Sequence, residues 1–380
     1  MLPLASKKNP ETFTEKHFLI VKGIILIILL LIVLILFTIL GESYDMDIRF
    51  SAQFFTLEKD WFLARSIPWS WLYDFGAIPG ILMSIISFYF WINFKTNQKF
   101  SVLRPYFLVC GITPILASLF LVNVILKDHT GRPRPREISQ FSGNWKYKPV
   151  FKVGIPGKGH SFPCGHCSIA FTLTSGIIFF RHSRKFAILS FLVGLTYGIL
   201  MSIARIVQGG HFLSDTIWSL GVVWLTLIVF YYFIFQPPKT ENKQVSPFTK
   251  KQKWKIFTTT SMILTILTVF VFTRRPFYKE HLGSFKINNI TNYLELYLPK
   301  NWTYNFQYFD NINDGEFHLE IKGYAPPFTT HYLNFVPKNI KKTMRLSFKE
   351  NVFGYQRNFK PNLKINIPSI FKNNIIIIKE

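Results

Sequence analysis

The sequence predicts a bundle of membrane-spanning helices followed by a β-rich domain, and three observations lead there. Apolar residues gather in blocks long enough to cross a bilayer core as helices; residues 23–40 contain no charge at all. Of 380 residues, 49% are hydrophobic, 17% aromatic and only 17% charged, and the mean hydropathy is +0.22, which excludes an ordinary soluble enzyme. Beyond Arg275 the long apolar runs stop and period-two alternation begins.

Taken in order, apolar blocks at about 18–40, 75–94, 106–126, 166–180, 186–206, 216–235 and 256–272 read as seven spanning helices. The first follows Lys7, Lys8 and Lys16, which imitates a signal peptide, but Gly41-Glu42-Ser43 offers no small-x-small cleavage site. It reads as an uncleaved helix. The fourth is short and carries Ser168, Thr172, Thr174 and Ser175; the motifs at its flanks decide for it. Basic links at 95–104, 181–185 and 239–255 all fall on the N-terminal side, so the N-terminus is expected in the cytoplasm. Segments 43–73, 127–165 and 208–214 then face the extracytoplasmic side. The first of these, with Trp61, Trp69, Trp71 and Tyr73, reads as a headgroup-level anchor.

The expected organisation is a cytoplasmic N-terminus at 1–17, a helical core at 18–236, a basic cytoplasmic linker at 237–255, an additional transmembrane helix at 256–273 and a β-rich extracytoplasmic domain at 274–380. In that domain Tyr293-Leu294-Glu295-Leu296-Tyr297-Leu298 and Phe317-His318-Leu319-Glu320-Ile321 alternate as strands, and Ile375 to Ile378 reads as a buried strand. Lys and Arg number 44 against 20 acids, net +24. Because many of these charges lie in short links between apolar blocks, anionic headgroups rather than nucleic acid are the expected partner. Three cysteines exclude a disulfide framework. Cys110 reads as a small hydrophobe.

Chemistry-bearing residues form three polar clusters at helix ends, all on the expected extracytoplasmic side: Lys127-Asp128-His129-Thr130-Gly131-Arg132-Pro133-Arg134-Pro135, Ser161-Phe162-Pro163-Cys164-Gly165-His166 and Arg205 through Asp215. Lysine, arginine and backbone N–H groups at a helix start suit a phosphate. His211 and Asp215, four residues apart, let the carboxylate approach a ring N–H and fix the tautomer, leaving the other nitrogen as a nucleophile. His166 is the candidate acid for the leaving alkoxide. Any one cluster alone could be a basic collar holding lipid phosphates. His129 reads as a surface or supporting group, and Arg132 either neutralises a further acidic group of the headgroup or is a solvated charge.

Together the clusters resemble the type-2 phosphatidic acid phosphatase (PAP2) family, with the pattern K-x6-R-P, P-S-G-H and S-R-x5-H-x3-D. Lys127 with Arg134-Pro135, Pro163 to His166, and Arg205, His211 and Asp215 carry the resemblance. It implies a six-helix core with one extra helix here, His211 as nucleophile, Asp215 as its orienter and His166 as acid and then base. It also implies Lys127, Arg134, Arg205 and the 164–165 loop as phosphate ligands, with no metal and no cofactor. Two positions depart: Ala204 replaces a serine, and Cys164 replaces the serine whose hydroxyl helps hold the phosphate, with the Gly165 N–H expected to serve still. Cys164-Gly165-His166-Cys167, with His160 nearby, also spells a dithiol or zinc motif, but no thioredoxin-like alternation surrounds it. A bridge between Cys164 and Cys167 stays open.

The expected function is therefore a multi-pass inner-membrane lipid phosphatase with an extracytoplasmic site. Candidate substrates are lipid A phosphates, isoprenyl diphosphate, phosphatidylglycerophosphate and phosphatidic acid. The alternatives are a phosphotransferase that discharges the phosphohistidine to another lipid or sugar, and a catalytically silent lipid-binding envelope protein; seven apolar spans argue against a vanadate-dependent haloperoxidase.

Overall fold

The computed structural model describes residues 10–94, 98–240, 254, 258, 262, 275–288, 290–310, 314–326, 329–354 and 357–379. Residues 1–9, most of the expected linker at 237–255 and almost all of the expected extra helix at 256–273 lie outside the described residues. The chain divides into two compact units: Met1–Gly154 with Gly159–Pro247, and Ile155–Lys158 with Phe248–Glu380.

The first unit is helical. Its elements are α1 (Pro10–Ser43), α2 (Met46–Ala52), α3 (Trp69–Phe75), α4 (Ile78–Asn93), α5 (Gln98–Ser101), α6 (Arg104–Thr113), α7 (Lys127–Thr130), α8 (Gly165–Phe171), α9 (Arg184–Val207), α10 (Leu213–Val229) and α11 (Pro237–Thr240). Among the described residues five segments are long and apolar enough to cross a membrane: His17–Ser43, Trp69–Asn93, Arg104–Glu137, Arg184–Val207 and Leu213–Ile234. The third runs from α6 through a π-helical stretch, Pro114–Leu126, into α7. There the Asn123 amide donates to the Ser118 carbonyl five residues back, at 2.7 Å, in keeping with the wider turn.

The short fourth block is a composite: α8 supplies seven residues of α-helix, and ten residues of 3-10 helix, Thr172–Arg181, follow. The hydroxyls that weaken its hydropathy explain the tighter winding. Ser168, Thr172 and Thr174 each donate to the carbonyl three residues back, at 2.8, 2.6 and 2.7 Å. At about 2 Å per 3-10 residue and 1.5 Å per α-helical residue, the segment reaches about 30 Å, the thickness of a bilayer core.

The second unit holds two four-stranded sheets, from strands β1 (Pro276–Lys286), β2 (Tyr293–Leu298), β3 (Thr303–Phe309), β4 (Asp314–Tyr324), β5 (Thr330–Ile340), β6 (Thr343–Phe353), β7 (Arg357–Pro368) and β8 (Ile375–Lys379). Their orders are β1-β4-β7-β3 and β5-β6-β2-β8. Alternate residues, among them Leu294, Leu296 and Leu298 of β2 and Phe317, Leu319 and Ile321 of β4, meet in one core. The run Ile375–Ile378, expected as a buried strand, pairs with β2 alone at the sheet edge and leaves Ile376 49% exposed. Ile155–Lys158 packs with this unit: Lys158 Nζ reaches Glu280 Oε2 at 2.8 Å and Tyr278 OH at 3.2 Å.

Candidate active site

Three chain segments far apart in sequence are laced together by backbone and side-chain hydrogen bonds. Ser161 N donates to Arg132 O (3.0 Å) and Thr130 Oγ1 to Phe162 O (2.9 Å), which joins the first cluster to the second. Cys164 N donates to Asp215 O (3.3 Å) and Ser219 Oγ to Cys164 O (2.9 Å), which seats the second on α10. Arg136 N donates to Gly209 O (3.1 Å), which ties the first to the third. The helix ends therefore converge on one place, and the side chains follow.

His211 is 1% exposed, and its Nδ1 lies 2.5 Å from the Ser161 carbonyl oxygen. A carbonyl only accepts, so Nδ1 carries the proton and Nε2 presents its lone pair. The spacing argument expected Asp215 to take that ring proton. Instead Asp215 Oδ2 stands 3.7 Å from Nδ1 and accepts from Ser161 Oγ (2.5 Å) and Phe212 N (2.8 Å). Burial pushes the His211 imidazolium down to about 3, Arg205 and Lys127 push the same way, and Asp215 pulls against them. The ring is neutral at ordinary pH.

Arg132, read from sequence as a headgroup ligand or a solvated charge, is neither. It is 2% exposed and lies between two carboxylates, with Nη1 on Asp215 Oδ1 (2.5 Å) and Ser214 Oγ (2.8 Å), Nη2 on Asp47 Oδ2 (2.7 Å), and Nε on Lys148 O (2.8 Å). Tyr147 OH and Ser214 Oγ also donate to Asp47 Oδ2, at 3.0 and 2.6 Å. Asp47 of α2 was missed from the sequence; it is one of three acids, with Glu42 and Asp45, just beyond a long apolar run, and nothing local singles it out.

Arg134 and Arg205 each bury an Nε–H that finds no hydrogen-bond partner among the described residues. Such orphaned donors cost roughly 1–3 kcal/mol apiece, more when charged, and an anion relieves them. Arg205 also bonds Gln208 Oε1 through Nη1 and lies over the Tyr73 ring at 4.4 Å. Tyr73 in turn stacks on His166, with ring centroids 5.3 Å apart. Lys127 and Arg205 are close enough to act electrostatically on both histidines. Trp61 departs from the interfacial-anchor reading of 43–73, being only 8% exposed beside Phe55 and Phe141, whereas Tyr73 covers His166 yet stays 43% exposed. Trp71, 58% exposed, keeps the anchor's exposure.

Cys164 and Cys167 are joined by a disulfide across the first turn of α8, and the Cys167 N–H donates to Cys164 Sγ at 3.2 Å. Cys164 thus has no S–H to offer, which corrects the expected thiol ligand and leaves backbone donors at this turn. Gly165 is needed there, because a Cβ would press on the Asn123 side chain. His160 Nδ1 lies 3.5 Å from Asp128 Oδ1, and among the described residues no three His, Cys, Asp or Glu side chains are grouped to hold a metal ion.

With this geometry in place, the helical unit is compared with known families. Residues 108–239 match the PAP2 superfamily. The match holds all three clusters, and the resemblance they carry is borne out over that span. The chain is 27% identical over 195 residues to the lipid A 4'-phosphatase of Francisella tularensis subsp. novicida, covering 50% of this chain and 87% of that protein. It is 29% identical over 133 residues to the lipid A 4'-phosphatase of Rhizobium leguminosarum and 30% identical over 133 residues to that of Rhizobium etli. These alignments cover 35% and 34% of this chain and span about half of each Rhizobium protein, 54% and 49%. No solved structure matches the chain. Asp47, Trp61 and Tyr73 lie outside the PAP2 match, so part of the constellation around His211 comes from beyond it.

Proposed function

We propose that the chain is an integral membrane lipid phosphatase that removes a phosphate from a lipid headgroup through a phosphohistidine on His211. The observation that carries this reading is the pair of buried, orphaned guanidinium donors, Arg134 Nε and Arg205 Nε, beside a neutral His211 whose Nδ1 is committed to a carbonyl. In the proposed first step His211 Nε2 attacks phosphorus and the bond to the headgroup oxygen breaks, with the proton of a protonated His166 passing to the leaving alkoxide. In the second, neutral His166 takes a proton from water, the hydroxide displaces His211, and phosphate leaves. Lys127, Arg134, Arg205 and the Gly165 N–H neutralise the charge that develops on phosphorus oxygens. Asp215 acts on His211 by its charge and through Ser161.

The similarity to lipid A 4'-phosphatases supports lipid A as substrate, beside isoprenyl diphosphate, phosphatidylglycerophosphate and phosphatidic acid. The basic links support a multi-pass inner-membrane protein whose site and C-terminal β-rich domain face outward. Since arginine and lysine supply the positive charge, no metal is required.

The test is release of inorganic phosphate from these four lipids by the purified chain, with EDTA present and with or without an acceptor lipid. His211→Ala should lower release by more than about 10³-fold and abolish an acid-labile phosphoenzyme. Normal turnover in that variant would end the phosphohistidine reading, and phosphate appearing on the acceptor would make the chain a transferase.

A further inference from the structure

The helical unit holds a cavity of about 800 Å³ whose lining includes Lys59, Asp60, Trp61, Arg65, Arg136 and Gln208. Three cations and one acid thus line a single concavity. They come from two stretches of chain, 59–65 and 136. Among the described residues none of the three cations forms an ion pair; a merely solvated basic face would have no reason to gather them around one hollow. Trp61 adds an indole N–H that is buried and without a hydrogen-bond partner among the described residues, on a side chain only 8% exposed. Gly209, at φ +60, leaves room for that indole, which a Cβ would strike.

Two links join this cavity to the phosphate-binding arginines. Gln208 lines it and accepts from Arg205 Nη1, while its own amide donates to Trp69 O at 3.4 Å. Arg136 lines it two residues after Arg134 and bonds Gly209, in the turn that carries His211. A ligand held by Arg205 therefore has a cationic hollow next to it, separated by one side chain. Lys59 and Arg65 lie outside the PAP2 match.

We infer that this cavity is a second anion subsite, which takes an acidic group of the lipid headgroup other than the phosphate being cleaved. The inference rests on the phosphatase reading and narrows its substrates to headgroups with two separated anionic groups. Guanidinium and ammonium donors in a wet, partly enclosed hollow favour a phosphate or carboxylate held by several hydrogen bonds.

The test compares the full chain with Lys59→Gln/Arg65→Gln on lipid A phosphorylated at both ends of its disaccharide and on lipid A phosphorylated at one end. The KM ratio between the two should shift about tenfold against the doubly phosphorylated lipid, as expected for losing charge-assisted contacts. Asp60→Asn, which removes the acid and keeps a residue tolerant of its positive φ, should shift the ratio the other way; damage to folding would not improve one substrate selectively. An unchanged ratio in both variants overturns the subsite. If the parent chain releases phosphate from neither form of lipid A nor from the other three candidate lipids, the phosphatase reading fails. The subsite is then judged by calorimetric affinity for glucose 1,6-bisphosphate against glucose 6-phosphate, where the same tenfold shift in the Lys59→Gln/Arg65→Gln variant is expected and its absence is fatal.

Discussion

Arg132 sits between Asp47 and Asp215 with its guanidinium donors committed to carboxylates, a serine hydroxyl and a backbone carbonyl. A buried ion pair of this kind adds little net stability when intact, but removing one member leaves the others charged in a poor solvent. Arg132→Gln should therefore cost about 3–5 kcal/mol in denaturant unfolding. Asp47→Asn keeps the shape and tests positioning: kcat should fall by about tenfold to a hundredfold with KM nearly unchanged, because a shift of Asp215 misplaces Ser161 and His211. Equal effects on KM and kcat would argue for a purely structural role. His211 itself makes stability depend on pH. Its unfolded form takes up a proton near 6.5, while the folded form resists until about 3, so the unfolded state binds more protons in that window. Stability from this group is complete above about 6.5 and is lost as pH falls towards 3, by about 1.4 kcal/mol per pH unit. Unfolding free energy measured from pH 7 to 4.5 should fall at least that steeply, and His211→Gln should lower the slope by about that amount.

The start of α8 shows how one short element serves both packing and chemistry. Its first turn carries the Cys164–Cys167 disulfide with His166 inside it, and its later turns tighten into 3-10 helix under hydroxyl-to-carbonyl bonds. With no S–H at 164, a hydroxyl placed there gains a donor for phosphate and remains a good helix cap. Cys164→Ser should keep or raise the rate and lower KM by about tenfold at most, the gain being limited by the backbone donors already present. Thiol reductants should alter the parent and leave the serine variant unaffected. Loss of activity in Cys164→Ser would mean that the disulfide, or a thiol, is required.

The distribution of charge over the chain gives a further expectation. Positive links between apolar blocks predict that a reporter fused near Lys250 stays in the cytoplasm and one fused after Arg275 is exposed outside. Both on one side would require a change in the number of crossings between them. Among the described residues the β-rich unit closes its own core from Phe285 to Phe371, with its strands paired among themselves in the two sheets.

Hydropathy and spacing mark many of the described elements and single out the residues proposed for the chemistry. The apolar blocks mark the five described spans, Tyr293–Leu298 coincides with β2, and Lys127, Arg134, His166, Arg205, His211 and Asp215 stand out as residues suited to a phosphate. These are local properties: side-chain apolarity over some twenty residues, alternation over six, fixed offsets within a motif. The partners were not legible. That Ser161 O, rather than Asp215, holds the His211 ring proton, that Arg132 lies 85 residues from its partner Asp47, that Trp61 is buried against Gly209, and that β8 is an edge strand all depend on which distant groups folding brings within 3 Å. A sequence sets which groups need a hydrogen-bond or charge partner once buried; only packing in three dimensions selects the partner, because donors compete on distance and angle and several candidates were equally available along the chain.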